Sequence, residues 1–245
     1  MANSNALTHN KLVKFASLGR ETYQNVKFQG KDMPFSPTKV PKFISPEIKQ
    51  ACLKVCGSEE VGFVEIESNG KYKSNKCALN AMTETEAVGG RVVFGWAVFE
   101  WDKVMFDFIG HAVVELNGRY YCVTPSKMGD KKVLFVPDSS IAFDFENPDS
   151  RLPSKEVAIS KRPEVKKLLE VRERIREIKI KYPVSSSNMQ VSIEDAQAIA
   201  ELERLQTGLL DKVNYFLHPV KEKCPCGSGK QFRKCCKPHM KRAFG

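Results

Sequence analysis

The chain lacks an apolar run long enough to cross a bilayer. Nothing in it approaches the roughly 18–20 uninterrupted apolar residues that a span needs, so no membrane association is expected. Its opening residues, MANSNALTHNKL, lack the apolar stretch of a secretory signal. Internal repeats and low-complexity tracts are missing too. Histidine is scarce, with four in 245 residues, which leaves few imidazoles for acid–base work. Without an export signal, the eight cysteines imply thiols kept reduced in a cytoplasmic setting, serving metals, chemistry or packing and not disulfides.

What is present describes an ordinary folded chain. Hydrophobic residues make up 42% and charged residues 28%, which excludes a disordered or fibrous class. The net charge of +10 favours anionic partners such as nucleic acid or acidic proteins, but only as a prior. Its distribution is more specific: from Lys221 onward there are eight Lys or Arg and one Glu, and the first 50 residues hold eight against three. The basic character belongs to the two ends. Four of the eight cysteines fall between Cys224 and Cys236.

Hydropathy periods divide the chain into four stretches. Residues 1–48 read as a basic irregular arm with at most a short helix near Lys11–Leu18, since Pro34, Pro37, Pro41 and Pro46 forbid a long element in its second half. Residues 49–150 read as an α+β domain. A helix over Pro46–Val55 carries Cys52 and Cys56, expected to be buried apolar thiols. A strand over Gly62–Ser68 follows, with Asn69–Gly70 as a hairpin signal. A helix over Lys76–Glu86 is expected next, with Ser74 or Asn75 as its cap and Gly89–Gly90 past its end. Strands over Arg91–Trp101, Val104–Leu116, Arg119–Thr124 and Lys132–Val136 complete an antiparallel meander. Residues 160–219 carry two apolar stripes of helical period. The first starts at Pro163 and stops at Pro183; the second is capped by Ser192 and Asp195 and ends at Pro219. They predict a helical hairpin joined by the polar SSSNMQ loop.

Residues 221–245 carry the strongest signal. Cys224-Pro-Cys226-Gly-Ser-Gly, then Cys235-Cys236, sets four thiolates around two glycines that permit a sharp turn. Four thiolates match the closed tetrahedral shell of one structural zinc ion. His239 is an alternative fourth ligand. Zinc with four thiolates is a net anion and would offset part of the tail's positive charge. This stretch closely resembles the SEC-C motif, Cys-x-Cys-x8-Cys-His/Cys, and matches it at each ligand. The resemblance implies a zinc-binding module that docks onto a protein partner. It covers only Lys221–Arg242, and no nucleotide-binding loop accompanies it.

A second pattern lies in the centre. Cys77 opens a predicted helix, where the dipole and free N–H groups favour a thiolate. His111, the only histidine of the central stretch, begins a strand. A two-residue turn at Asn117–Gly118 would pair Leu116 with Arg119 and put His111 opposite Thr124, with Cys122 on the same face. The run KCALNAM…HAVVELNGRYYCVTP is similar to the papain-like and transglutaminase-like thiol enzymes. The resemblance implies Cys77 as nucleophile and His111 as general base of a hydrolase or acyl transferase. It departs from that pattern at Cys122, which stands where an acid or amide usually orients the histidine.

Three functional classes therefore stand as expectations. One is a zinc-containing thiol hydrolase or transferase. Another is a non-catalytic adaptor with a degenerate thiol-enzyme fold. The third is a nucleic-acid-associated protein, disfavoured by the lack of interleaved basic and aromatic residues.

Overall fold

Residues rich in Val, Phe and Trp between Arg91 and Leu116 give the two longest described strands, β3 (Arg91–Trp101) and β4 (Met105–Leu116). They form the centre of the computed structural model of this protein, which describes residues 23–26, 38–147, 149–183 and 189–244. The remaining strands of this sheet are β2 (Gly62–Glu65), β5 (Arg119–Tyr121), β6 (Lys132–Pro137) and β7 (Ser154–Ala158). The order is β2-β6-β3-β4-β5, every pairing is antiparallel, and β7 lies along the first half of β4. A separate two-stranded ladder joins β1 (Tyr23–Val26) to β8 (Met189–Ser192).

The sheet curls until its ends meet. After Tyr121 the chain leaves β4: the Cys122 N–H donates to the Glu65 carbonyl and the Glu67 N–H donates to the Cys122 carbonyl, both at 2.8 Å. This parallel bridge between Ile66 and Cys122 ties β5 to the end of β2. The inner face carries Val64, Val93, Ala97, Val113, Cys122 and Phe135. A close approach makes the curl possible at Gly95, where a Cβ atom would lie 2.2 Å from the Val136 carbonyl oxygen and 2.6 Å from the Phe135 ring.

Helices cover the outside. The first is α1 (Pro46–Cys56), capped by Ser45 and ended by Gly57; it packs Ile48, Ala51 and Cys52 against Trp96 and Phe108. The second, α2 (Cys77–Val88), lays Ala78 and Ala81 on Ala112, Val114 and Val123. α3 (Pro163–Lys179) and α4 (Ile193–Leu217) form the expected hairpin. They run antiparallel, since Lys179 at the end of α3 meets Glu203, whereas Arg162 before α3 stacks on Phe216 near the end of α4. Their shared core closes over Trp101, Val104 and Met105 at the β3–β4 turn. Ion pairs of Glu156 on β7 with Arg172 (2.6 Å) and Arg176 (3.2 Å) fix α3 beside the sheet. The last helix, α5 (Cys236–Phe244), belongs to the tail. None of the described helices is long and apolar enough to cross a membrane.

Several local expectations need correction. Asn69–Gly70 is not a hairpin turn. β2 takes the distant β6 as partner, and the Asn69 side chain instead accepts from the Lys71 N–H. Neither Ser74 nor Asn75 caps α2: Ser74 donates to the Pro125 carbonyl, Asn75 is left-handed (φ 66°), and Lys76 takes the cap position without a side-chain bond. β5 stops at Tyr121, short of the expected Thr124, because Cys122 is drawn to β2. Leu116 does pair with Arg119, but the ladder never reaches Thr124. β1, β7 and β8 lie where no strand was expected, β8 taking up the end of the SSSNMQ loop. The short helix near Lys11–Leu18 falls outside the described residues.

Candidate metal centre

Two backbone devices build the tail. The Cys224 N–H donates to the Lys230 carbonyl (2.6 Å), and Lys223 bridges Gln231, so the chain doubles back around residues 225–229. Gly227 and Gly229 take φ values of 77° and 73° in that turn, a region glycine enters without a Cβ penalty. A short 3-10 turn, Phe232–Lys234, then delivers Cys235 and the first residue of α5, Cys236, to the same point.

The four sulfur atoms converge. All lie within 4.8 Å of one another. The Cys226–Cys235 separation is 3.5 Å and the Cys235–Cys236 separation 4.0 Å. A tetrahedron of sulfurs about 2.3 Å from a central ion has edges of about 3.8 Å, so the spacing fits a metal ion held by sulfur alone. His239 is not part of this cluster. The thiols also pull in opposite directions. Hydrogen bonding from Ser228, then from Cys224 and Cys235, draws Cys226 down to about 6, while burial and its thiol neighbours push Cys236 up. Four thiols this close cannot all ionise unaided, and a divalent cation at their centre resolves that conflict.

A hydrophobic plug holds the cluster to the rest of the chain. Phe232 is fully buried and meets the His218 ring edge-on at 5.0 Å. The His218 Nε2 bonds the Lys223 carbonyl (3.0 Å), and Lys237 donates to the Tyr215 carbonyl (3.2 Å). The centre is thereby seated on the end of α4. Sequence reasoning found the four ligands but missed Ser228, 3.1 Å from the Cys235 sulfur, and Phe232. A lone aromatic among basic residues was the available signal for the plug; nothing distinguished Ser228.

Cys77 is the first residue of α2, as expected, and packs with Ala78, Ala112 and Tyr121. Burial pushes its thiol pKa up, with N–H groups of Ala112 and Ala78 opposing the shift. His111 does not begin a strand as expected but lies in the interior of β4 opposite Gly95, and its Nε2 meets the Cys122 sulfur at 3.2 Å beside the Phe135 ring. Burial lowers its pKa to about 4, and burial raises Cys122 to about 11. Among the described residues no hydrogen bond joins Cys77 to His111. The structure brings His111 together with Cys122, both uncharged at neutral pH. Cys52 and Cys56 are buried and half-buried thiols on α1, and the Cys56 thiol donates to the Cys52 carbonyl at 3.2 Å.

No family model, curated protein or solved structure matches this chain.

Proposed function

We propose that the chain is a zinc-dependent interaction protein, whose C-terminal module is folded by one structural zinc ion and docks onto a protein partner. The convergence of Cys224, Cys226, Cys235 and Cys236 within 4.8 Å carries the reading. The resemblance to the SEC-C motif supports it, as do the exposed Lys221, Lys223, Lys230, Arg233 and Lys234 around the site. All four ligands close the shell, so the ion serves folding and leaves no open position for chemistry. A module of two dozen residues needs such a staple to fold.

The central domain is read as non-catalytic. A nucleophilic cysteine needs a lowered pKa and an adjacent base. Cys77 is raised by burial, and its candidate base His111 is engaged by Cys122. A thiol hydrolase is the second reading, favoured by Cys77 opening α2 with the Ala112 N–H directed at its sulfur. Metal analysis of protein purified without chelator tests the main reading. We expect one zinc per chain, and none in Cys235→Ser. Metal-free wild-type protein would end it.

A further inference from the structure

A groove of about 550 Å³ runs between α4 and the end of α5. Glu201, Arg204, Leu205, Gly208 and Lys212 form one α4 face of helical period along it, and Phe244 closes the far side. The walls are mostly apolar. Leu205 is 45% exposed, a large side chain left in water.

Gly208 is the unusual member. It sits in the interior of a 25-residue helix, where glycine is disfavoured relative to alanine. A Cβ atom there would meet nothing within 4 Å. Among the described residues no neighbour requires the missing side chain, which leaves the gap open to an approach from outside. Arg204 and Lys212 lie about 12 Å apart along the helix axis. Neither forms a salt bridge among the described residues, although the Lys212 charge also acts on the Glu164 carboxylate. Two such cations beside an apolar floor complement a segment with an apolar face and flanking carboxylates. Glu201, one helical turn before Arg204, bounds the groove at that end and would repel a carboxylate placed beyond Arg204.

We propose that this groove is the docking site for an acidic amphipathic helix of a protein partner, with an apolar side chain seated over Gly208 and carboxylates at Arg204 and Lys212. Helix-in-groove recognition of this kind uses apolar anchors three and four residues apart. The proposal rests on the reading of the C-terminal module as an interaction module, because α5 supplies one wall.

The probe is a labelled synthetic peptide, long enough for four helical turns, with Leu at three- and four-residue spacing and Glu on the flanks. It is titrated into the full zinc-loaded chain by fluorescence anisotropy. Micromolar binding is expected, weakened at least tenfold by Gly208→Leu, by Arg204→Glu, and by exchanging the peptide's Glu for Lys. Gly208→Leu fills open space on a helix, so its melting temperature should not fall. Binding unchanged by Gly208→Leu in zinc-loaded protein would overturn the groove proposal and leave the metal reading standing. Binding that depends on Gly208 in a chain holding no zinc would overturn the metal reading alone. A peptide of residues 1–22 of this chain displacing the probe and binding more tightly would assign the groove to the protein's own arm and overturn the proposal.

Discussion

At the scale of single residues, protonation separates a packing thiol from a reactive one. Burial raises Cys77, so iodoacetamide at pH 7 should label it no faster than an unfolded thiol, and His111→Ala should leave that rate unchanged. Fast labelling that depends on His111 would contradict the non-catalytic reading. His111 also carries a pH signature. In the folded chain it stays neutral to about pH 4, while unfolded histidine titrates near 6.5. Protons therefore bind the unfolded state first. The stability linked to His111 is complete above about pH 6.5 and falls as the pH drops toward about 4, by roughly 3 kcal/mol. Urea unfolding at pH 7 and pH 4.5 checks this, with His111→Gln expected to lose distinctly less stability between the two than the wild type. Equal losses would place the ring in water. Cys77, His111 and Cys122 were legible in the sequence as members of a helix, a strand and the strand beside it. Cys122 on the face of the imidazole was legible too; that it leaves β5 to bridge β2 was not, because that bridge depends on the curl of the sheet, which joins residues far apart in the chain.

At the scale of elements, local signals were legible where the chain decides alone. β3 matches its expected bounds, α1 ends at Gly57, and Ser192 accepts from the Asp195 N–H at 3.1 Å as a capping box should. Non-local choices were not legible. Asn69–Gly70 has the composition of a hairpin turn, but the chain goes on into α2, so β2 waits for β6, which follows only after β3, β4 and β5. The same long-range pairing explains Gly95, which reads as an interruption in an apolar strand and is in fact a contact point. Gly95→Ala would press a methyl group into the Val136 carbonyl and the Phe135 ring, and should cost about 3 kcal/mol in urea unfolding. Gly62→Ala, on the same sheet, adds an atom with nothing within 4 Å. Its stability should change by no more than about 0.5 kcal/mol. Equal effects at the two positions would refute the curled sheet.

At the scale of the whole molecule, an α+β sheet domain, a helical hairpin and a sulfur-rich tail are joined by a few buried anchors. Trp101, Val104 and Met105 seat the hairpin on the sheet. Phe232 against His218 and Lys237 against Tyr215 seat the tail on α4. This hierarchy predicts the response to chelation. Stripping the metal should release amide protection in residues 220–244 and in the last turns of α4, while β3 and β4 keep theirs, as read by hydrogen–deuterium exchange. Loss of protection throughout the sheet would mean that the tail supports the entire fold. The most direct test of the account is X-ray absorption at the zinc edge on the purified 245-residue chain. The predicted spectrum has four sulfur neighbours at about 2.3 Å and no nitrogen or oxygen in the first shell. A shell containing nitrogen or oxygen, or a chain without zinc, would contradict a centre made by Cys224, Cys226, Cys235 and Cys236 alone.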